Sequence, residues 1–417
     1  MEQTKRPLEG VKVVELSTFI AVPACGRYMA DLGASVIKVE PPKGDAVRYL
    51  SFNEGRVANG KPTGDLENTT FDLENAGKEC IALDLKTKDG RDVMEKLIAG
   101  ADVFMSNTRD RALSKMGLDY ESLKVKYPKL VYGYVSGFGE KGPDKDLPGF
   151  DYTSYFARSG ILNTMFDKDH VPMNFIQGFG DQQAGMYLSS GIIAALYKAR
   201  NTGKGDKVSV SLVHAGIWAL AIMLQASQYG QASTRFPLSR KELSNPLQVA
   251  HKTLDNRWIQ FAVPAYDVNY DRFVKAIDRE DLVGDPRFYP QSNLPKHFHE
   301  FYDLLATRVA EKTLKEWFKI FTEADLPFSV GQTLDEVLLD EQIWANDFLY
   351  KMHYPTGADR VLVRPPVMFT DMPLPEYKRG PYLGEHTEVI LARLGYNDAQ
   401  IKAMMDAGVA FHPALKE

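Results

Sequence analysis

Apolar residues in the first half of the chain recur with two alternating periods. Val11-Lys12-Val13-Val14-Glu15-Leu16 and Ser35-Val36-Ile37-Lys38-Val39-Glu40 read as short strands, and the spacing between them predicts a helix over 24–32. Asn75-Ala76-Gly77-Lys78 turns the chain into a third strand over 81–85, followed by a helix over 88–99 and an apolar strand over 102–105. Another strand begins at Leu130 and runs into the glycine turn Ser136-Gly137-Phe138-Gly139. Met186, Leu188, Ile192, Ile193, Ala195 and Leu196 keep helical spacing as far as Ala199, and Val208-Ser209-Val210-Ser211-Leu212 reads as a strand. Strands alternating with helices predict an α/β fold on a largely parallel sheet.

Past this block, 215–231 is apolar enough for one long helix, and from about Arg235 the composition turns polar and turn-rich. A strand over 258–263 and helices over 271–277, 298–311 and 314–323 mark a smaller unit. The expected division is a large domain over 1–225, a small α/β domain over 226–325 and a third part over 326–417. No internal repeat or low-complexity tract interrupts the pattern.

Composition narrows the function classes. With 417 residues, 44% hydrophobic and 25% charged, the chain supports a large buried core. Fifty basic against 55 acidic residues give a net charge of −5, which supplies no general attraction for nucleic acid or an anionic membrane. The longest apolar run, 215–224, is short of a membrane span, and Met1 to Arg6 leads into no secretory-type segment, so a cytoplasmic location is expected. Cys25 and Cys80 form no disulfide framework or zinc spacing. His297 and His299 have no third ligand near in sequence, and no metal is expected.

Two stretches carry candidate chemistry. The first turn, Ser17-Thr18-Phe19-Ile20-Ala21-Val22-Pro23, has no glycine to seat a dinucleotide pyrophosphate, which discounts Glu40 as a ribose-binding acid and argues against a resident nicotinamide cofactor. The second, Gln177-Gly178-Phe179-Gly180-Asp181-Gln182-Gln183, sets a carboxylate between flexible glycines and a long helix. Asp181 is the candidate reacting group, at or near the helix N-cap. An aspartate there ordinarily accepts a hydrogen bond from the first helical turn, and on position alone that alternative stays open.

The glycine-acid-helix-strand block resembles the class III coenzyme A transferases, a family that includes formyl-CoA:oxalate and carnitine CoA-transferases and, as a divergent branch, the alpha-methylacyl-CoA racemases. Asp31-Leu32-Gly33-Ala34-Ser35-Val36-Ile37-Lys38-Val39-Glu40, Asn107-Thr108-Arg109 with Lys115-Met116-Gly117-Leu118, Ser136-Gly137-Phe138-Gly139 with Pro148-Gly149-Phe150-Asp151, and Gly384-Glu385-His386-Thr387 are similar to its signatures, over about residues 7–410. Val22 stands where the family usually has glycine. The resemblance implies that Asp181 is a covalent nucleophile, that 326–417 re-enters a Rossmann-like large domain, and that two chains form an interlocked homodimer. It further implies that coenzyme A and acyl-CoA are substrates, with no permanently bound cofactor. They would be contacted by Ile20, Ala21, Leu73, Asn75, Asn107, Thr108, Arg109, Lys115, Ser136 and Gly137.

The rival reading is an acyl-CoA racemase of the same superfamily, and it is disfavoured by Phe150, which stands where the racemase branch has a histidine acid/base. Gly137 and Gly180 are candidate oxyanion donors. The stretch 239–247 has no glycine where some family members carry a glycine lid. Two strings, 139–151 and 344–350, are most similar to the 2-hydroxyacyl-CoA transferases of amino-acid-fermenting anaerobes. The partners this implies are an acyl-CoA, an (R)-2-hydroxy acid such as phenyllactate or 2-hydroxyisocaproate, and a 2-hydroxyacyl-CoA dehydratase in the same route. Phe150, Tyr152, Tyr155, Phe156, Phe175 and Phe179 would suit an aromatic or branched side chain, with about half of them filling core.

Overall fold

A computed structural model describes residues 5–50, 57–58, 61–62, 66–168, 170–229, 236–239 and 245–413. It divides into two compact units, one of residues 1–161, 174–224 and 341–417, the other of 162–173 and 225–340. Residues 240–244, in the glycine-free stretch discussed above, lie outside the described residues.

The first unit is built on a seven-stranded sheet. Its strands are β1 (Lys12–Leu16), β2 (Ser35–Glu40), β5 (Glu79–Leu83), β6 (Val103–Ser106), β7 (Val131–Ser136), β8 (Lys207–Ser211) and β14 (Ala410–Phe411), in the order β14-β5-β2-β1-β6-β7-β8. Every pairing is parallel except β14 on β5, where Ala410 faces Leu83. Numbered by appearance among the six parallel strands the order is 3-2-1-4-5-6, the doubly wound arrangement. Alternate residues serve opposite faces: Val13, Val103 and Met105 join one buried cluster, Val14 and Phe104 the other. The inner strands, covered on both sides, are mostly apolar with buried charges at Glu15, Lys38 and Glu40, whereas the edge strand β8 alternates valine with serine and is only partly buried.

Helices α1 (Ala21–Asp31), α2 (Thr69–Asn75), α3 (Lys88–Ala99), α4 (Asp110–Met116), α5 (Tyr120–Lys126) and α6 (Phe179–Thr202) link or cover these strands. Helix α1 starts three residues earlier than the apolar spacing predicts; Pro23 lies in its first turn, where a missing N–H costs nothing. A minor hairpin joins β3 (Val57–Ala58) to β4 (Lys61–Pro62), and β12 (Leu349–His353) pairs with β13 (Asp359–Val363). The single helix expected over 215–231 is instead α7 (Leu212–Ala219) and α8 (Ala221–Ala226), broken at Leu220. Leu212, Ala215 and Gly216 are the buried residues of α7, Leu220 still packs part-buried against the core, and no residue of α8 is buried, so a mostly apolar sequence loses its packing partners at the break.

The second unit pairs β9 (Ala250–Lys252), β10 (Trp258–Phe261) and β11 (Phe328–Val330) in an antiparallel sheet. Against it pack α9 (Tyr266–Ala276), α10 (Phe298–Val309) and α11 (Leu314–Glu323), around a core that includes Trp317 stacked on Phe321 at 4.9 Å. Among the described residues no helix is long and apolar enough to cross a membrane.

Candidate active site

The carboxyl ends of β1, β6, β7 and β8 lead directly into Thr18, Asn107, Gly137 and Leu212, and these residues line a cleft of about 970 Å³ within the first unit. It opens where the strand order reverses between β1 and β6, the place where open α/β sheets bind ligands. Asn107 bridges that switch point: its Oδ1 accepts from Thr18 N at 3.0 Å and its Nδ2 donates to Thr18 O at 2.7 Å. Asp181 lines the same cleft.

Asp181 is the third residue of α6, one turn inside the N-cap Gly178, whose φ of +87° is the left-handed conformation glycine allows. The capping work belongs to a different residue. Asp151, first in a π-type helical segment (Asp151–Arg158), accepts from Gly178 N at 2.8 Å through Oδ2 and from Gly180 N at 3.0 Å through Oδ1. A Cβ at residue 180 would strike the Tyr155 ring and the Asp151 carboxylate, so glycine is what lets Asp151 reach the helix end. Because the Gly180 N–H is committed there, Gly137, which lines the cleft, is the remaining candidate oxyanion donor.

Asp181 is thereby left with no hydrogen-bond or ion-pair partner among the described residues. Burial, reinforced by the negative charge of Asp151, raises its carboxyl from 3.8 to about 7. Its neighbours are pinned: Gln182 donates to the buried Glu74 carboxylate and Gln183 accepts from Tyr155 Oη at 3.0 Å. Glu74 is itself raised to about 7 by burial against the counteracting charges of Lys78 and Arg27. The result is an unpartnered carboxylate lining the cleft, with the helix amides Gly178 N and Gly180 N bonded to Asp151 instead.

The other sequence candidates divide. Ala21, Asn107, Arg109, Ser136 and Gly137 line the cleft with Asp181; Ile20, Leu73, Asn75, Thr108 and Lys115 do not. Ile20 is buried with its side chain beneath Gly178. Leu73 is half-buried, and its carbonyl accepts from Arg27 at 2.9 Å. Asn75 is fully buried, bonded to Phe71 O and Lys78 Nζ. Thr108 N donates to Ser106 Oγ at 3.0 Å, and Lys115 is exposed in the last turn of α4. The cleft cations are Arg109, Lys145 and Lys207. Lys207 is paired with Glu140, whereas Arg109 and Lys145 have no ion-pair partner among the described residues. Lys145 and Lys207 were not legible as site residues, since a single lysine in a charged string or at the start of a strand reads as an ordinary solvated cation until the fold sets it beside the cleft.

Of the six aromatic candidates, Phe150 and Tyr152 line the cleft. Tyr155 and Phe156 are core, and Phe175 stacks on Phe156 at 3.9 Å. Phe179 is exposed and does not line the cleft. Glu40 is fully committed, to Arg48 through both oxygens and to Asp45 N, so it offers no acid to a ribose. No group of three side chains placed to hold a metal occurs among the described residues.

The pattern of CoA-transferase family III matches residues 8–387. The chain is 49% identical to a cinnamoyl-CoA:phenyllactate CoA-transferase of Clostridium sporogenes, over 97% of each chain. It is 43% identical to an (R)-2-hydroxy-4-methylpentanoate CoA-transferase of Clostridioides difficile, over 96% of this chain and 99% of that one. The crystal structure of a CAIB/BAIF family protein from Brucella suis superposes with a TM-score of 0.80 at 29% identity, covering 94% of this chain and 100% of the other. Matched in sequence over nearly its whole length and in fold over the same span, the chain belongs to CoA-transferase family III and is a CoA-transferase.

Proposed function

We propose that this transferase moves coenzyme A from an acyl-CoA to an (R)-2-hydroxy acid with an aromatic or branched side chain, through covalent intermediates on Asp181. The observation that carries this reading is the unpartnered Asp181 carboxylate lining the cleft; the two relatives named for such substrates support the acid class. In the first step an Asp181 oxygen attacks the thioester carbonyl, the C–S bond breaks, and CoA thiolate leaves behind an acyl-aspartyl anhydride. The thiolate then attacks the Asp181 carbonyl and expels the first acid as its carboxylate. An incoming carboxylate attacks the resulting enzyme thioester, and the released thiolate takes the new acyl group, returning Asp181 to its starting state. Each step exchanges one acyl bond for another, so the thioester energy is retained without ATP.

Arg109 and Lys145 are the cleft cations available to phosphate oxygens of coenzyme A, and Gly137, which lines the cleft, is the candidate donor to the developing oxyanion. Phe150 supplies no second base for a racemase, because a phenyl ring carries no exchangeable proton. Wild-type enzyme given acyl-CoA and then hydroxylamine should be inactivated, with the hydroxamate found on Asp181. Modification of another carboxylate would end the mechanism.

The same reading includes an interlocked homodimer acting in a route with a 2-hydroxyacyl-CoA dehydratase. Trp218, Ile222 and Leu224 are exposed on α7 and α8, apolar surface of the kind a partner chain covers. Monomers persisting at nanomolar concentration in mass photometry would contradict the dimer.

A further inference from the structure

Five non-glycine residues among those described adopt positive φ: Phe19, Asn256, Asp278, Asp325 and Asp347. Four are Asn or Asp, which tolerate the left-handed region; Phe19, at +63°, is the one with a large side chain there. Such strain persists only where the surroundings over-determine it. Here they do. Asp45 Oδ1 accepts from Phe19 N at 3.0 Å and from Thr18 Oγ1 at 2.7 Å, while Asn107 clamps both backbone polar groups of Thr18. Asp45 is anchored in turn by the fully buried Lys38 at 2.9 Å, and Lys38 by Glu15 at 3.1 Å.

This buried chain of charges holds a phenyl ring that contributes to none of the hydrophobic cores. The Phe19 ring lines the cleft and meets Phe150, more than half exposed, edge to face at a centroid distance of 6.0 Å and an interplanar angle of 85°. An edge-to-face pair on a cleft wall offers apolar ring surface against which a further aromatic or branched side chain packs well. A second carboxylate on the substrate would instead be desolvated against hydrocarbon.

We propose that Phe19, with Phe150, forms the wall that selects the side chain of the acid brought to Asp181, and that the strained turn after β1 exists to present it. The assignment rests on Asp181 as the reacting carboxylate. The test compares kcat/KM for phenyllactate, 2-hydroxy-4-methylpentanoate and lactate, with one acyl-CoA donor, in wild type, Phe19→Ala and Phe19→Gly. Any effect on the donor is common to all three acids, so the ratio of a bulky acid to lactate isolates the acceptor's side chain. In both variants that ratio should fall about 10- to 200-fold, the range set by hydrophobic pocket contacts.

Phe19→Gly also relieves the left-handed strain, so its melting temperature should equal or exceed that of wild type while its selectivity is lost. A ratio unchanged in both variants, whether activity falls uniformly or not at all, overturns the assignment. A ratio lost in Phe19→Ala and restored in Phe19→Gly reduces Phe19 to a structural part and overturns it equally. Wild type transferring CoA to none of the three acids would overturn the 2-hydroxy-acid reading itself, and this assignment with it.

Discussion

Two regions of the first unit bury carboxylates, and they treat them in opposite ways. Beneath the turn after β1, burial pushes Glu15 up, yet Lys78 at 2.7 Å and Lys38 at 3.1 Å outweigh it and hold its carboxyl below the ordinary value. At the first turn of α6 no cation approaches, and burial together with Asp151 lifts Asp181 to about 7. The fold therefore has the means to answer a buried acid, and at Asp181 it supplies no cation and no hydrogen bond among the described residues. The first region neutralises its buried acid with cations, and the second leaves one raised and unpartnered beside the cleft.

The largest effect expected from breaking this contrast is on turnover. On the proposed mechanism Asp181→Asn keeps the shape but removes the attacking carboxylate, so CoA exchange should fall by at least about 10⁴-fold while calorimetry shows coenzyme A still bound. Substitution on the other side of the comparison should cost stability rather than chemistry. Glu15→Gln leaves Lys78 and Lys38 short of a buried counter-charge and should lower unfolding free energy by about 3 to 5 kcal/mol in a denaturant titration.

A smaller effect has the opposite sign. Asp181 binds its proton more tightly folded than unfolded, so relative to a neutral side chain its contribution is nil below about pH 4, turns progressively against folding as pH rises from about 4 to about 7, and is constant above that. Asp181→Asn should therefore be more stable than wild type at pH 8, by about 1 to 2 kcal/mol after allowance for solvent screening, and indistinguishable near pH 4. Loss of stability in this variant at pH 8 would return Asp181 to the status of an ordinary cap. The smallest effect sharpens the role of the neighbouring charge. Wild-type kcat/KM should fall as pH drops below about 7, and Asp151→Asn should move that limb down by roughly half a unit to one unit. An unmoved limb would leave Asp151 a cap alone.

The elements of the parallel sheet were legible because strands covered on both faces are written as apolar runs: the range 35–40 matches β2, and 88–99 matches α3. The break at Leu220 was not, since nothing in an evenly apolar stretch records where its packing partners stop. In the site, Asp181 was visible through its flanking glycines, but the division of labour with Asp151 was not. The two are 30 positions apart, and only the folded chain shows which carboxylate accepts from the helix amides. Phe19 carried no signal at all, because its backbone conformation is imposed by Asp45 and Asn107 from elsewhere in the chain.

The antiparallel strand β14 has a consequence for how the protein is made. It covers the outer edge of β5, pairing Ala410 with Leu83, residues that leave the ribosome far apart in time. At about 5 to 20 residues per second, β5 waits roughly 15 to 65 s for its neighbour, during which its backbone N–H and C=O groups are open to pairing with another nascent chain. Growth temperature and translation rate should therefore govern the yield of soluble protein more strongly than substitutions on the finished surface.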